Sequence, residues 1–82
     1  MKPKKHKKPA YYDNKSILVS TPKSIIRLYC PFKVECIKSV DAYNIGDKVT
    51  VVSVMISEDK KLVYVIREKK YHYYFFHVLI NR

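Results

Sequence analysis

From Phe32 to Val40 the chain alternates in character. Phe32, Val34, Cys36 and Val40 fall on one side of an extended segment, and Lys33, Glu35, Ile37 and Ser39 fall on the other, with Lys38 interrupting the apolar side. A period of two predicts a strand buried on one face, because successive side chains of a strand point to opposite faces. "VTVVSVMI" predicts a second, longer strand, "SEDKK" a polar hairpin loop, and "LVYVIRE" the strand that pairs back. Between the first two strands "DAYNIGDK" is a loop in which Asn44 and Gly46 supply the backbone conformations that a turn needs. "SILVS" is a further short strand candidate.

Two segments are less regular. In "STPKSIIRLYCPF" Thr21 suits a helix N-cap, Pro22 the first helical position and Pro31 a stop, with Ile25, Leu28 and Tyr29 on one helical face. A short helix is the expectation there, with a strand over residues 21–30 as the alternative. The closing "KKYHYYFFHVLINR" predicts a strand from about Tyr71, after a short turn at Glu68 to Lys70. Its alternation places Tyr74, Phe76, Val78 and Ile80 on one side and Tyr73, Phe75, His77 and Leu79 on the other, so both faces are apolar or aromatic. A closing strand buries one face. The other calls for the "SIIRLY" helix as a cover, a partner protein, or bases stacked on the rings.

Four or five short antiparallel strands with brief connections predict a mainly β protein, a small twisted sheet rolled into a barrel so that no edge is left open. "NIGDKVTVVSV", a Gly-Asp turn feeding a valine-rich strand, resembles the start of a strand in KOW-type or Src-homology-3-like barrels. With "VECIKSVDAY" before it, and "LVYVI" and an aromatic strand after it, the stretch from Phe32 to Ile80 is similar to small phage and bacterial proteins of that barrel type. The resemblance implies an Src-homology-3-like barrel of four or five strands, preceded by the one short N-terminal helix that the residues of "STPKSIIRLYCPF" suggest. The KOW pattern continues into a second, glycine-containing turn, whereas "MISEDKKL" has no glycine, so that family's RNA-contacting loop does not carry over.

Charge divides the 82 residues into two regions. Residues 1–15 hold six lysines, His6 and two prolines against Asp13, a net +5 with no repeating apolar face, which predicts a disordered basic arm. Residues 16–82, the expected barrel domain, carry eleven basic and six acidic residues, a further +5. A whole-chain charge of +10 predicts attraction to polyanions. No apolar run reaches the roughly 18–20 residues that span a bilayer, and Lys2 rather than Gly follows Met1, so no membrane association and a cytoplasmic location are expected. Cys30 and Cys36 are too few for a disulfide scaffold.

Catalytic and metal chemistry find little support in the residues. Cys30 and Cys36 are separated by five residues, more than the usual zinc pair, and His72 and His77 have opposite parity on a strand, so no metal site is expected. The seven acids are scattered or sit in polar turns, and there is no nucleophile motif or glycine-rich phosphate cradle. The expectation is a non-enzyme with no cofactor and no small-molecule substrate.

These observations predict a basic small-barrel protein that binds nucleic acid mainly through phosphates. RNA is preferred over DNA because a small basic barrel with a lysine arm is similar to proteins of ribosomes and other ribonucleoproteins. The expected contacts are Lys2, Lys4, Lys5, Lys7 and Lys8 of the arm, Lys33, Arg67, Lys69 and Lys70 of the barrel, and the rings of Tyr71 and Tyr73. The alternative is a compact, phage-encoded interaction module that acts on a host nucleic-acid-handling complex through the aromatic face of the last strand.

Overall fold

The computed structural model describes residues 9–80. β1 (Ala10–Asp13), β2 (Ser16–Ser20) and β3 (Ile25–Tyr29) form one three-stranded antiparallel sheet. A second has the order β5 (Lys48–Val51), β4 (Phe32–Cys36), β9 (Phe76–Val78), and a third the order β6 (Ser53–Ile56), β7 (Leu62–Ile66), β8 (Lys69–His72). A 3-10 turn, Tyr73–Phe75, joins β8 to β9, and no α-helix occurs among the described residues. The protein is mainly β, as the alternating patterns predict. Its three small sheets are not closed into a barrel.

The expected helix after Ser20 is instead a hairpin and a strand. Thr21 does cap, but it caps a chain reversal. Its hydroxyl oxygen accepts from the Ser24 N–H at 3.0 Å and the Lys23 N–H at 3.3 Å, while its own N–H donates to the Ser24 carbonyl at 2.7 Å. The β-branched Ile25 and Ile26 then extend easily, and β3 gains a partner along its length, with Val19 opposite Ile26 and Ile17 opposite Leu28. Pairing and burial outweigh the weak local preference for a helix turn. Because that helix does not form, it covers nothing. The disordered arm expected through residue 15 does not hold for residues 10–13, which form a strand that pairs with β2. The five arm lysines from Lys2 to Lys8 lie outside the described residues.

β4 follows its alternation: Phe32, Val34 and Cys36 are buried while Lys33 is exposed. "VTVVSVMI" breaks into β5 and β6 at Val52, whose N–H donates to the Val65 carbonyl at 3.0 Å. Val51 and Val54 are both buried although three residues apart, so the alternation slips by one across the break and Val52 is left exposed. That slip lets one run of chain pair with β4 in its first half and with β7 in its second. The core lies between the sheets, around Ile17, Val34, Val51, Val54, Tyr64, Ile66 and Phe76.

The closing segment also departs from a continuous strand. The reversal comes at Arg67 and Glu68, one residue earlier than expected, and β8 starts at Lys69. After His72 the 3-10 turn resets the parity, and only Phe76 of β9 is fully inward, pairing with Cys36 across the sheet.

In "NIGD" the Asp47 N–H donates to the Asn44 carbonyl at 3.0 Å, and Gly46 has φ +98° at the third position, as a type II turn requires. Both Gly46 and Asp47 then bond to Cys36, Gly46 N–H to its carbonyl and Cys36 N–H to the Asp47 carbonyl, each at 2.8 Å, so a bulge starts the β4–β5 ladder. Asn44 does not share the positive φ expected of it; Asp41 does, at 53°. A Cβ on Gly46 would meet no atom within 4 Å, so a substitution there costs backbone strain alone. Gly46→Val is expected to lower unfolding free energy by about 1–3 kcal/mol in urea melts. Wild-type stability in that variant would contradict the turn.

Candidate functional site

Two features gather the residues with binding chemistry: a cleft beside the β7–β8 turn, and the outer face of the β1–β2–β3 sheet.

The cleft, of about 460 Å³, is lined by Asp41, Ala42, Tyr43, Arg67, Lys69 and Tyr71. It adjoins a second hollow that shares Tyr43 and Arg67 and adds Lys48 and Glu68. Arg67 and Glu68 both have positive φ, 52° and 69°, in the two-residue reversal between β7 and β8. The right-handed twist of a hairpin favours such a turn, but side chains larger than Asn or Gly are strained in it. Arg67 of this strained turn lines both hollows. Of the expected contact residues, Arg67, Lys69 and Tyr71 therefore meet in one place.

The others are dispersed. Lys70 sits on β8 one residue from Lys69, so its side chain leaves the opposite face of the strand. Lys33 is exposed on β4, opposite Thr50, and lines neither hollow. Tyr73, in the 3-10 turn, lines a third hollow of about 470 Å³ with Tyr11, Lys60 and Lys61.

The expectation of a stacking ring at Tyr71 does not match its position. Tyr71 is 8% exposed, its ring stands edge-on to Tyr43 at 5.7 Å and to Phe76 at 5.9 Å, and its phenol donates to Asp41 Oδ2 at 2.7 Å. The ring is occupied by packing, so Tyr71 is a wall of the cleft. Sequence alternation puts it one residue from an exposed position, and the difference comes from the turn starting at Arg67.

The outer face of the N-terminal sheet has no signature in the sequence pattern, which puts Tyr12 in the arm and Arg27 in a helix. Asp13 organises this face. Its Oδ1 accepts from the Ser16 hydroxyl at 2.8 Å and the Lys15 N–H at 3.0 Å, and its Oδ2 accepts from Arg27 Nη2 at 3.1 Å. Arg27 Nε donates to the hydroxyl of the buried Ser16 at 3.0 Å, which fixes the plane of the guanidinium. The guanidinium carbon lies over the Tyr12 ring at 3.9 Å from its centroid and over the Tyr29 ring at 4.8 Å. Tyr12 reaches this position because a bulge between Tyr11 and Asp13 leaves it without a partner on β2. Tyr12 and Tyr29 remain 52% and 59% exposed.

Charge concentrates on the same part of the chain. Residues 1–30 hold eight of the seventeen basic residues and only one acid, Asp13, a net +7 of the total +10. That acid is occupied by Arg27, Ser16 and the Lys15 N–H. The remaining residues carry nine basic and six acidic groups and are close to balanced for their length.

Titration behaviour follows the contacts. The hydroxyl of Ser16, then the Lys15 N–H, with Arg27 adding, hold the Asp13 carboxyl below its ordinary range. Burial pushes the Cys30 thiol up. Cys36 Sγ donates to the Lys38 carbonyl at 3.1 Å. Among the described residues no three His, Cys, Asp or Glu side chains are grouped so as to hold a metal ion, and no helix is long and apolar enough to cross a membrane. No protein-family model matches this chain, and no curated protein or solved structure matches it significantly.

The hydrogen bond to Asp41, with burial adding, pushes the Tyr71 phenol up to about 12, and burial raises Tyr64 further. Both groups are neutral in the folded state at a pH where an unfolded phenol, with a pKa of about 10, ionises. Their contribution to stability is therefore complete below about pH 10 and is lost as pH rises through 12. Phenolate absorbance is expected to show a late phase near pH 12 that Tyr71→Phe reduces. Complete ionisation by about pH 11 with the β spectrum intact would contradict the Tyr71–Asp41 bond.

Proposed function

We propose that this chain is a non-enzymatic, basic β protein that binds RNA through its phosphates as part of a ribonucleoprotein, on an open relative of the Src-homology-3-like barrel. The observation that carries the binding part is the placement of +7 on residues 1–30, where the single acid is already bonded. A positive charge of that size attracts a polyanion from a distance and gains affinity by releasing the counterions condensed on it. Arg67, Lys69 and Lys48, against Asp41 and Glu68 in the same linings, leave a smaller net positive area around the cleft.

Support for the fold part comes from the path of β4 to β9. The last strand returns to pair with β4, and a single broken run, β5 and β6, belongs to both sheets at once. Such sharing is how a short meander curls towards a barrel. RNA is favoured over duplex DNA because exposed rings and lysines suit unpaired strands.

A protein-interaction module is the second reading, favoured by the exposure of Ile25 at 66% and Ile45 at 69%. Salt dependence separates the two. Full-length protein is expected to bind an unstructured oligoribonucleotide with affinity that falls steeply with salt. Replacing Lys2, Lys4, Lys5, Lys7 and Lys8 by Gln is expected to flatten the log-affinity against log-salt slope by roughly 0.7 for each phosphate no longer neutralised. An unchanged slope would remove the N-terminal lysines from the interface. No binding at low salt would overturn the RNA reading itself.

A further inference from the structure

We propose that the outer face of the β1–β2–β3 sheet is a stacking site for unpaired bases of single-stranded RNA, with Tyr12 and Tyr29 as its platforms and Arg27 as the residue that positions them. This inference rests on the RNA-binding reading above and adds to it a base-contacting surface, where that reading invokes phosphates alone.

Four observations point to such a site. First, the side chains of Ile25, Arg27 and Tyr29 face outward, because Ile26 and Leu28, between them in the strand, pack against the core. Second, the outward rings are held in place. Arg27 is fixed by Asp13 at 3.1 Å and by Ser16 at 3.0 Å, and Ser16 is wholly buried, so the guanidinium packed on the two rings is anchored to the sheet itself. Rings that only shielded the sheet would lie flat on apolar neighbours; these lie on a cation and remain more than half exposed. The conformational cost of ordering them is met before any ligand arrives. Third, the ion pair neutralises the one acid on this part of the chain, leaving Lys15, in the β1–β2 turn at the end of the sheet that holds both rings, and Lys23, in the β2–β3 turn at the other end, as unpaired charge along the sheet. Rings at one end of a sheet that also carries cations match a strand that alternates bases with phosphates.

The fourth is the open edge of β3. The bonds from Thr21 N–H to the Ser24 carbonyl and from Cys30 N–H to the Lys15 carbonyl set the ladder, so Ile26 and Leu28 direct their backbone groups to β2. The N–H and C=O groups of Ile25, Arg27 and Tyr29 point away from β2, and no described strand pairs with that edge. They lie beside the rings as donors and acceptors for the edges of a stacked base.

The test uses full-length protein, a fluorescent twelve-nucleotide oligouridylate, and inorganic polyphosphate as a charged ligand without bases. Tyr12→Ala and Tyr29→Ala are each expected to weaken oligouridylate binding roughly 5- to 100-fold. The log-affinity against log-salt slope and the affinity for polyphosphate should not change, because no phosphate contact is removed. Tyr12→Phe should bind as wild type. If an alanine variant fails to fold, Tyr29→Leu supplies bulk without a ring and is expected to show the same selective loss.

The failures are distinguishable. If wild type binds neither ligand, the RNA-binding reading falls and the stacking site with it. If wild type binds oligouridylate and the ring variants bind equally well, the stacking site is overturned while the phosphate reading stands. Equal weakening towards polyphosphate and oligouridylate would make the rings supports for charge and overturn the site. A concentration-dependent dimer that Tyr29→Ala abolishes would overturn it too, by assigning the face to a second copy of the chain.

Discussion

Phe76 meets Tyr71 edge-on at 5.9 Å and Tyr64 at a tilt at 6.3 Å, and two of the three sheets hold their places through this cluster. Tyr64 belongs to β7 and Tyr71 to β8 of one sheet, Phe76 to β9 of another. Phe32 of β4 joins by a perpendicular contact with Tyr64 at 5.7 Å, and Tyr43 of the loop after β4 closes the group on Tyr71 and Phe76. None of the described strands exceeds five residues, so no sheet here has enough ladder to stand alone. Large rings supply the buried area that short strands cannot, and their edge-to-face geometry fixes how the sheets lie on each other. The bond from the Tyr71 phenol to Asp41 ties the loop after β4 to the same cluster.

With most of the core supplied by β4 to β9, the N-terminal sheet needs to bury only one face. Ile17 and Val19 of β2 enter the core, Ile26 and Leu28 of β3 pack against it, and the Val54 N–H donates to the Asn14 carbonyl at 3.0 Å. The opposite face is left to the Asp13–Arg27 pair and the rings above it. An exposed ion pair of this kind adds little to stability. Its consequence is geometric, because Arg27 holds two exposed rings in fixed positions beside the most positive part of the chain. Position and charge together make this face, more than the cleft at Arg67, the centre of the proposed RNA interface.

Much of the strand order is legible in the sequence, and the failures share a cause. Alternation locates β4, which buries one face, while the apolar run locates β7 and polar and turn residues locate the loops at 57–61 and 41–47. The helix expected at Thr21 fails because a capping residue satisfies the N–H groups of a hairpin turn as readily as those of a helix, and only pairing with β2 decides between them. The continuous closing strand fails because apolar and aromatic residues occupy both parities from Tyr73 to Ile80, so the 3-10 turn at Tyr73 is invisible in the pattern. Arg67 and Lys69 are legible as basic residues at a turn. The Arg27 site is not, because it depends on a bulge at Tyr12 and on two hydrogen bonds to Ser16 and Asp13.

Contact between RNA and the N-terminal sheet is the central claim, and a residue-resolved map of the complex tests it most directly. In nitrogen-15 spectra of the full-length protein titrated with short unpaired RNA, the largest amide shifts are predicted from Tyr11 to Asn14 and from Ile25 to Tyr29, with the Arg27 side-chain Nε signal moving as the rings engage. Smaller shifts are predicted at Arg67 and Lys69. Shifts confined to the cleft around Asp41, Arg67 and Tyr71, with β1 and β3 unmoved, would contradict it.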